Sequence, residues 1–424
     1  MTVLDKQFMN EDVKELDLTQ SIALAEKNKQ YIAGFTQSMM KKPEQFALGK
    51  FPVFIKSGHG AVVEDLDGNQ YVDFICGLGA NMLGHNHPVV NHAILENLTN
   101  GILHSLPAPV EAKTAERLVN MIPNAQMTRF FKTGADANSA AIRLARYHNK
   151  KNEIITVGYN GWHDHFMYDT PGVPESLESY TTRLPLFTPP DEAKLFEAIN
   201  QKHESLSAVL LSVPYNRELS QEFFKTLRTL CTEKNVLLII DEVVTGFRLA
   251  RGGVQEYFNV NADLVTFSKG IAAGMPLSAV TGSTELMNKL NDLQVSTTFG
   301  GEMLSLEVCD AVLKEYQESD YISHIHQLGK RLKDGVNSVA QSLNVSLKVV
   351  GYDCIPMFLF APNPVEHVKM AEPFLAAMAK RGVIMRRDVN FICTAHTVTQ
   401  IDQTIESVKG ALQEMIKNGS LTVQ

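Results

Sequence analysis

Two side chains set the chemical problem. Lys269 ends the apolar run "DLVTFSKG", and Asp241 ends "VLLIID", 28 residues earlier. A lysine after a buried strand is ordinarily a solvated terminus, but carboxyl ends of strands are where open α/β sheets bind ligands, and there an amine can act as a nucleophile. An aspartate after five apolar residues sits at the mouth of a buried strand, where an unpaired carboxylate is costly. It either caps the next element or meets a cationic partner. A protonated heterocycle would serve, and a hydrogen bond to a charged group is worth about 1.5–3 kcal/mol.

Two further pieces fall after predicted strands. In "FFKTGADANSAAIRLAR" a strand runs through Gly134 and Ala135 straight into an alanine-rich helix, whose unpaired N-terminal amides favour a phosphate. The stretch is neither a Walker loop nor a G-x-G-x-x-G fingerprint, and a glycine before a helix is commonplace on its own. In "VGYNGWHD", Tyr159 offers a flat ring at the same sheet edge, although an exposed aromatic there is often rim packing. An aromatic face, an acid for a ring nitrogen, an amine for an aldehyde and a helix N-terminus for a phosphate jointly describe pyridoxal 5'-phosphate.

The elements that must position these groups are legible as an alternation. Apolar runs at 127–131, 153–157, 208–213, 236–241, 264–268 and 278–282 are separated by helical patterns such as "SQEFFKTLRTLCTEKN". This order predicts a mostly parallel sheet with helices on both faces. Before it, "AVVEDLDGNQYVDF" alternates about Asp67-Gly68-Asn69 and predicts a hairpin. The segment "SIALAEKNKQYIAGF" leans helical. After residue 305, a helix beginning "LSLEVCDAVLKEYQ" leads into mixed helices and strands of a smaller domain.

Bulk properties exclude several classes. At 424 residues the chain is long enough for two domains, and a net charge of −8 without any Lys/Arg block argues against nucleic acid. No run of 18 apolar residues exists, so no spanning helix and no membrane partner are expected. The stretch "MTVLDKQFMNEDVKELD" lacks the apolar core of an export signal. Five scattered cysteines without a C-x-x-C pair read as reduced thiols of a cytoplasmic protein. His85 and His87 in "GHNHP" have no third ligand nearby and read as structural, so no metal is expected.

The motifs "VEDLDGNQYVDF", "LGHNHP", "KTGADANSAAIRLAR", "GWHD", "IIDEVVTGFR", "SKGIAAGMPLSAVTG", "TTFGGE" and "FICTAHT" occur in one order from about residue 50 onward. In them the chain resembles the class III aminotransferases of pyridoxal-phosphate fold type I, and within these the enzymes similar to glutamate-1-semialdehyde aminomutase. The resemblance implies a mostly parallel seven-stranded sheet flanked by helices, with a smaller α+β domain from both chain ends. The implied bounds are 1–65 for an N-terminal segment joining the small domain, 66–305 for the large domain and 306–424 for the C-terminal small domain. It implies Lys269 as the Schiff-base lysine and proton shuttle, and Asp241 as partner of the ring nitrogen. Val243 and Tyr159 would lie on opposite ring faces, Gly134 and Ala135 would give amides to the phosphate, and Asn216 would bond the phenolic oxygen. Thr298 matches a threonine that reaches the phosphate from a neighbouring subunit, which implies a homodimer with shared sites.

The chain departs from the family pattern in four places. Ala135 stands where a Ser or Thr is common, Asn160 where a His often follows the aromatic, and "LLSVPYN" replaces the usual Glu-Pro with a shorter loop. The N-terminal arginine of glutamate-semialdehyde enzymes has no match in "KKPEQFALGKFPVFI", and Arg386 and Arg387 are the substitute candidates for an acidic substrate group. The implied reaction is amino transfer from an amine donor to a carbonyl acceptor, with a keto-sugar or secondary-metabolite intermediate as open as an amino acid. The alternative is intramolecular transfer of the aminomutase type.

Overall fold

The computed structural model describes residues 15–423; most of the stretch used above to exclude an export signal lies outside them. The chain forms two compact units, Met1–His87 with Ser323–Gln424, and Pro88–Ile322. No described helix is long and apolar enough to cross a membrane.

The first unit opens with helix α1, Thr19–Asn28. The helical pattern expected to reach residue 35 stops at Asn28, whose amide turns back to donate to the Phe35 carbonyl at 2.7 Å. Strands β1 (Ile55–His59), β2 (Val62–Asp65) and β3 (Gln70–Asp73) follow as antiparallel neighbours. The β2–β3 turn is the expected hairpin. Gly68 adopts φ +92°, and the Asp65 carboxylate accepts the amides of Asp67 and Asn69, the Asn69 side chain and the Tyr71 hydroxyl. The buried acid is thus held by the turn it encloses.

The second unit carries the expected seven-stranded sheet. Its strands are β4 (Met127–Phe131), β5 (Glu153–Val157), β6 (Thr181–Leu184), β7 (Leu206–Leu211), β8 (Leu237–Glu242), β9 (Leu264–Phe267) and β10 (Ser278–Gly282). Their spatial order is β4-β10-β9-β8-β7-β5-β6, with only β10 running against its neighbours. Every residue of β7 and β8 is buried, which is why these central strands read as continuous apolar runs. Strand β6 escaped the sequence reading because it is an edge strand of sequence TTRL, only half-buried.

Helix α2, Gly134–Asn149, lays a face of Ala137, Ala140, Ala141, Leu144 and Ala145 over Phe131, Ile154, Leu210, Ile239 and Val280 of the sheet. Small residues on that stripe bring the helix backbone close to the strands. Helices α3 (Pro189–Lys202), α4 (Gln221–Glu233) and α5 (Met303–Glu318) complete the long helices after it in this unit.

The first unit resumes at Ser323 within α6 (Tyr321–Ser342) and continues with the hairpin β11 (Lys348–Val350) and β12 (Met357–Leu359), α7 (Pro364–Lys380), β13 (Val383–Ile384) and α8 (Val398–Lys417). Strand β13 adds in parallel to β3, so the two ends of the chain share one sheet. His85 bonds Asp73 at 2.8 Å and Asn81 at 3.1 Å. Among the described residues the metal-ligand types that converge are Cys76, Cys393 and His396, and neither His85 nor His87 is among them.

Candidate active site

Strands β4, β5, β7, β8 and β9 all point the same way, so their carboxyl ends share one edge of the sheet. That edge carries Gly134 and Ala135, Tyr159 and Asn160, Asn216, Asp241 and Lys269.

Lys269 sits two residues past β9. Ser268 donates its hydroxyl to the Leu277 carbonyl at 2.9 Å, the Tyr316 hydroxyl holds the Gly270 carbonyl at 2.8 Å, and between these anchors Lys269 adopts φ +45°. The left-handed region costs a side-chain-bearing residue on the order of 1–2 kcal/mol, so the anchors hold the lysine against a local preference. Burial pushes its amine down to about 8; the Asp241 charge opposes that shift and Arg248 adds to it. Among the described residues the amine has no hydrogen-bond or ion-pair partner.

Asp241, 3% exposed, ends the apolar part of β8 beside Thr266 of β9. One carboxylate oxygen accepts the side-chain amides of Asn138 and Asn160, each at 2.8 Å, and the other accepts the Val243 backbone amide at 3.0 Å. Burial raises its pKa, while these three donors and Lys269 pull it back. Next along the strand, Glu242 is buried too. Burial pushes it up to about 8, although it accepts the Thr245 hydroxyl and the Val254 amide.

The start of α2 is capped reciprocally. The Thr133 hydroxyl accepts the Asp136 amide at 3.2 Å, and Asp136 accepts the Thr133 amide at 2.9 Å. The amides of Gly134 and Ala135, ahead of the first intrahelical acceptor, are available to an anion. A side chain at Gly134 would lie 2.7 Å from Val243, so the glycine keeps Val243 in place. Ala135 is similarly hemmed in, because a Cβ on Gly161 would come within 2.7 Å of its own Cβ.

Three other sequence candidates lie at the surface. Tyr159 is 69% exposed at the rim, Asn216 is exposed in the loop after β7, and Thr298 is exposed on the loop preceding α5. In the first unit, Arg386 is buried and engaged by Asp388 at 3.0 and 3.3 Å and by the Met40 carbonyl at 2.9 Å, while Arg387 bonds Gln45 at 2.7 Å. Sequence reasoning gave no role to Asn138 or Asn160. A signal for Asn138 existed, since it is an asparagine on the alanine stripe of α2, where a polar group needs a partner.

These residues fit a phosphorylated pyridine aldehyde. Among the described residues the amine is unpaired and low in basicity, the acid is bonded by neutral donors, and two free amides open a helix.

Fold and site together define a pyridoxal-phosphate enzyme of fold type I. The family model for aminotransferase class-III matches residues 46–416, and the chain belongs to that family. A glutamate-1-semialdehyde 2,1-aminomutase of Methanobrevibacter smithii is 30% identical, covering 93% of this chain and 98% of its own. The FumI protein of a Sphingopyxis species, solved with pyridoxal phosphate, is 26% identical with a TM-score of 0.89, covering 96% and 99% of the two chains. A glutamate-1-semialdehyde aminomutase of Pseudomonas aeruginosa, at 22% identity and TM-score 0.83 over 97% and 98%, shares the fold.

Proposed function

We propose that the protein is an intermolecular aminotransferase, taking an amino group from a primary amine donor and passing it to a separate carbonyl acceptor. The bound cofactor supplies an aldehyde and an electron-withdrawing ring that stabilises negative charge on the substrate carbon. Lys269 is the residue that engages the aldehyde and moves the proton on and off that carbon; an amine titrating near 8 alternates between acid and base at neutral pH. Asp241 would keep the ring nitrogen protonated, Val243 and Tyr159 would border the ring, and Gly134 and Ala135 would give amides to the phosphate. Asn216 is assigned to the phenolic oxygen. The observation that carries the chemistry is the partnerless Lys269 amine near the buried Asp241.

The choice of transfer over mutation rests on arginines. A mutase must retain its intermediate while the amino group moves between two carbons, and a firmly anchored carboxylate helps it do so. The first arginine in the chain is Arg117, so the N-terminal segment has none. In the same unit Arg331 pairs with Asp402, Arg381 with Glu414 and Arg386 with Asp388, while Arg387 bonds Gln45. Among the described residues of that unit, three of the four arginines are thus ion-paired and the fourth is held by a neutral amide. The name of the Methanobrevibacter relative favours the aminomutase reading, which therefore stays as the second hypothesis.

A homodimer belongs to this proposal. Thr298 follows the family threonine that crosses to the partner site, and the apolar side chains Ile102, Leu106 and Phe299 nearby are 49, 79 and 57% exposed. The first residue of α5, Met303, donates its amide to the Ile102 carbonyl at 2.9 Å. Sedimentation of a fully active monomer would contradict it.

The deciding experiment supplies the loaded enzyme with one amine donor and no acceptor. Transfer predicts one equivalent of pyridoxamine phosphate and one of released carbonyl product. Absence of release with every donor, together with robust conversion of glutamate-1-semialdehyde to 5-aminolevulinate, establishes the mutase.

A further inference from the structure

The acid of the site is held in an unusual way for a buried carboxylate. Its protein partners are amides, and the Asn138 amide is itself fixed by further bonds. Asn138 gives one Nδ2 hydrogen to Asp241 and the other to the Asn160 carbonyl at 2.8 Å, while its Oδ1 accepts the Thr266 hydroxyl at 2.5 Å. With a donor on Oδ1 and two acceptors on Nδ2, the amide can be placed only one way round. Asn160 is 4% exposed and reaches Asp241 from the loop after β5. Helix α2, that loop, β8 and β9 therefore converge on one carboxylate through donors that neither gain nor lose a proton near neutral pH.

We propose that Asn138 and Asn160 are positioning residues forming a non-titrating clamp, which keeps Asp241 an acceptor for the cofactor's ring N–H across the pH range in which a histidine partner would change charge. The proposal rests on Asp241 being the ring partner. A histidine in place of Asn160 could donate as an imidazolium or as a neutral ring, so its bond to the acid would carry a charge that depends on pH. An asparagine donates the same hydrogen at every pH.

The charged surroundings agree. The groups whose fields meet Asp241 are Lys269, pushed down to about 8 by burial, Glu242, pushed up to about 8 by burial, and Tyr159 and Tyr215, both raised above the ordinary phenol value by partial loss of solvent around the hydroxyl and by the acid's own charge. His163 and His165, the histidines nearest to Asn160 along the chain, are bonded to the Ser139 hydroxyl at 2.7 and 3.1 Å rather than to the acid. Asp136 is turned to the helix cap.

The test uses pyridoxamine 5'-phosphate labelled with 15N in the ring. It has no aldehyde, so no bond to Lys269 complicates the titration. The ring-nitrogen resonance of the wild-type complex is expected at its protonated position and flat from about pH 5 to 7, below the range in which Lys269 and Glu242 change charge. Asn160→His is expected to introduce one inflection inside that window. A wild-type complex that titrates there overturns the clamp, and this measurement needs no variant to fold. A bound Asn160→His variant without an inflection overturns it as well. A ring nitrogen unprotonated at every pH removes Asp241 as ring partner, and with it the reading on which the clamp rests. Asn160→Gln, which keeps the amide, is expected to restore the flat profile.

Discussion

Each unit of the molecule holds a buried aspartate near a basic side chain, and the two are arranged to opposite ends. In the first unit Asp73, 4% exposed, bonds His85 directly at 2.8 Å and also accepts the amides of Ile75 and Cys76. His85 is pinned further by Asn81 and by a two-way backbone pairing with Gly60, and its ring fills the space that a side chain at Gly58 would need. Among the described residues of the second unit, Asp241 is bonded by amides only, and Lys269, in a disfavoured backbone conformation, has no bonded partner. A carboxylate that touches its base is satisfied and joins segments of the fold. One held off its base by neutral donors keeps both groups ready for a third party, and the cost is borne by the surrounding hydrogen bonds.

Removing the amine should break the second arrangement most completely. Lys269→Ala is expected to lower turnover on the order of 10⁴–10⁶-fold, by analogy with loss of a covalent catalytic group. The visible absorption of the bound aldehyde should also disappear, with circular dichroism unchanged. A variant retaining that absorption band would show that another amine engages the cofactor. Asp241→Asn comes next. It should still take up the cofactor but react about 10²–10³-fold more slowly, the usual loss when a preorganised electrostatic partner is removed. Near-normal single-turnover rates would reduce Asp241 to a cap of the following turn.

Gly134→Ala sharpens the comparison by moving a wall rather than a reacting group. The added methyl would meet Val243 at 2.7 Å, so Val243 must shift. Overpacking of this kind costs about 1–3 kcal/mol. The cost should appear mainly as weaker retention of the cofactor on dialysis, with a smaller change in turnover of the fully loaded protein. Unchanged retention would mean that Val243 does not border the ring.

The contrast between the units also explains what could be read from sequence. The acid and the amine were legible because each ends an apolar run, and a charge there is improbable without a reason. The sheet was legible for the same cause, since β7 and β8 are buried on both faces and, apart from Ser207 near the start of β7, are apolar up to Asp241. The asparagines were not assigned, because an amide in a helix or a loop carries no pattern; its role depends on an acid 103 residues away in one case and 81 in the other. Strand β6 was missed because an edge strand need not be apolar. The bond between Asp73 and His85 was invisible for a related reason, since the histidine motif was legible as structural but its partner was not.

The smallest expected effect belongs to that first-unit pair and concerns stability. Burial alone would lower the His85 pKa, but the hydrogen bond and charge of Asp73 prevail, so the folded-state value lies above the ordinary 6.5. The proton is then bound more tightly in the folded chain than in the unfolded one. Its stabilising contribution is complete below the unfolded value of about 6.5 and is lost as pH rises through the higher folded value. The His85 side chain is 22% exposed, so solvent screens the pair and the contribution is held to about 0.5–1 kcal/mol. His85→Asn, which removes the titrating ring, should therefore lower the thermal midpoint most near pH 5.5. The difference from wild type should narrow toward pH 8.5. A gap that widened on the alkaline side would mean that the ring is held neutral in the fold, and that the pairing with Asp73 is a hydrogen bond between a neutral imidazole and a carboxylate.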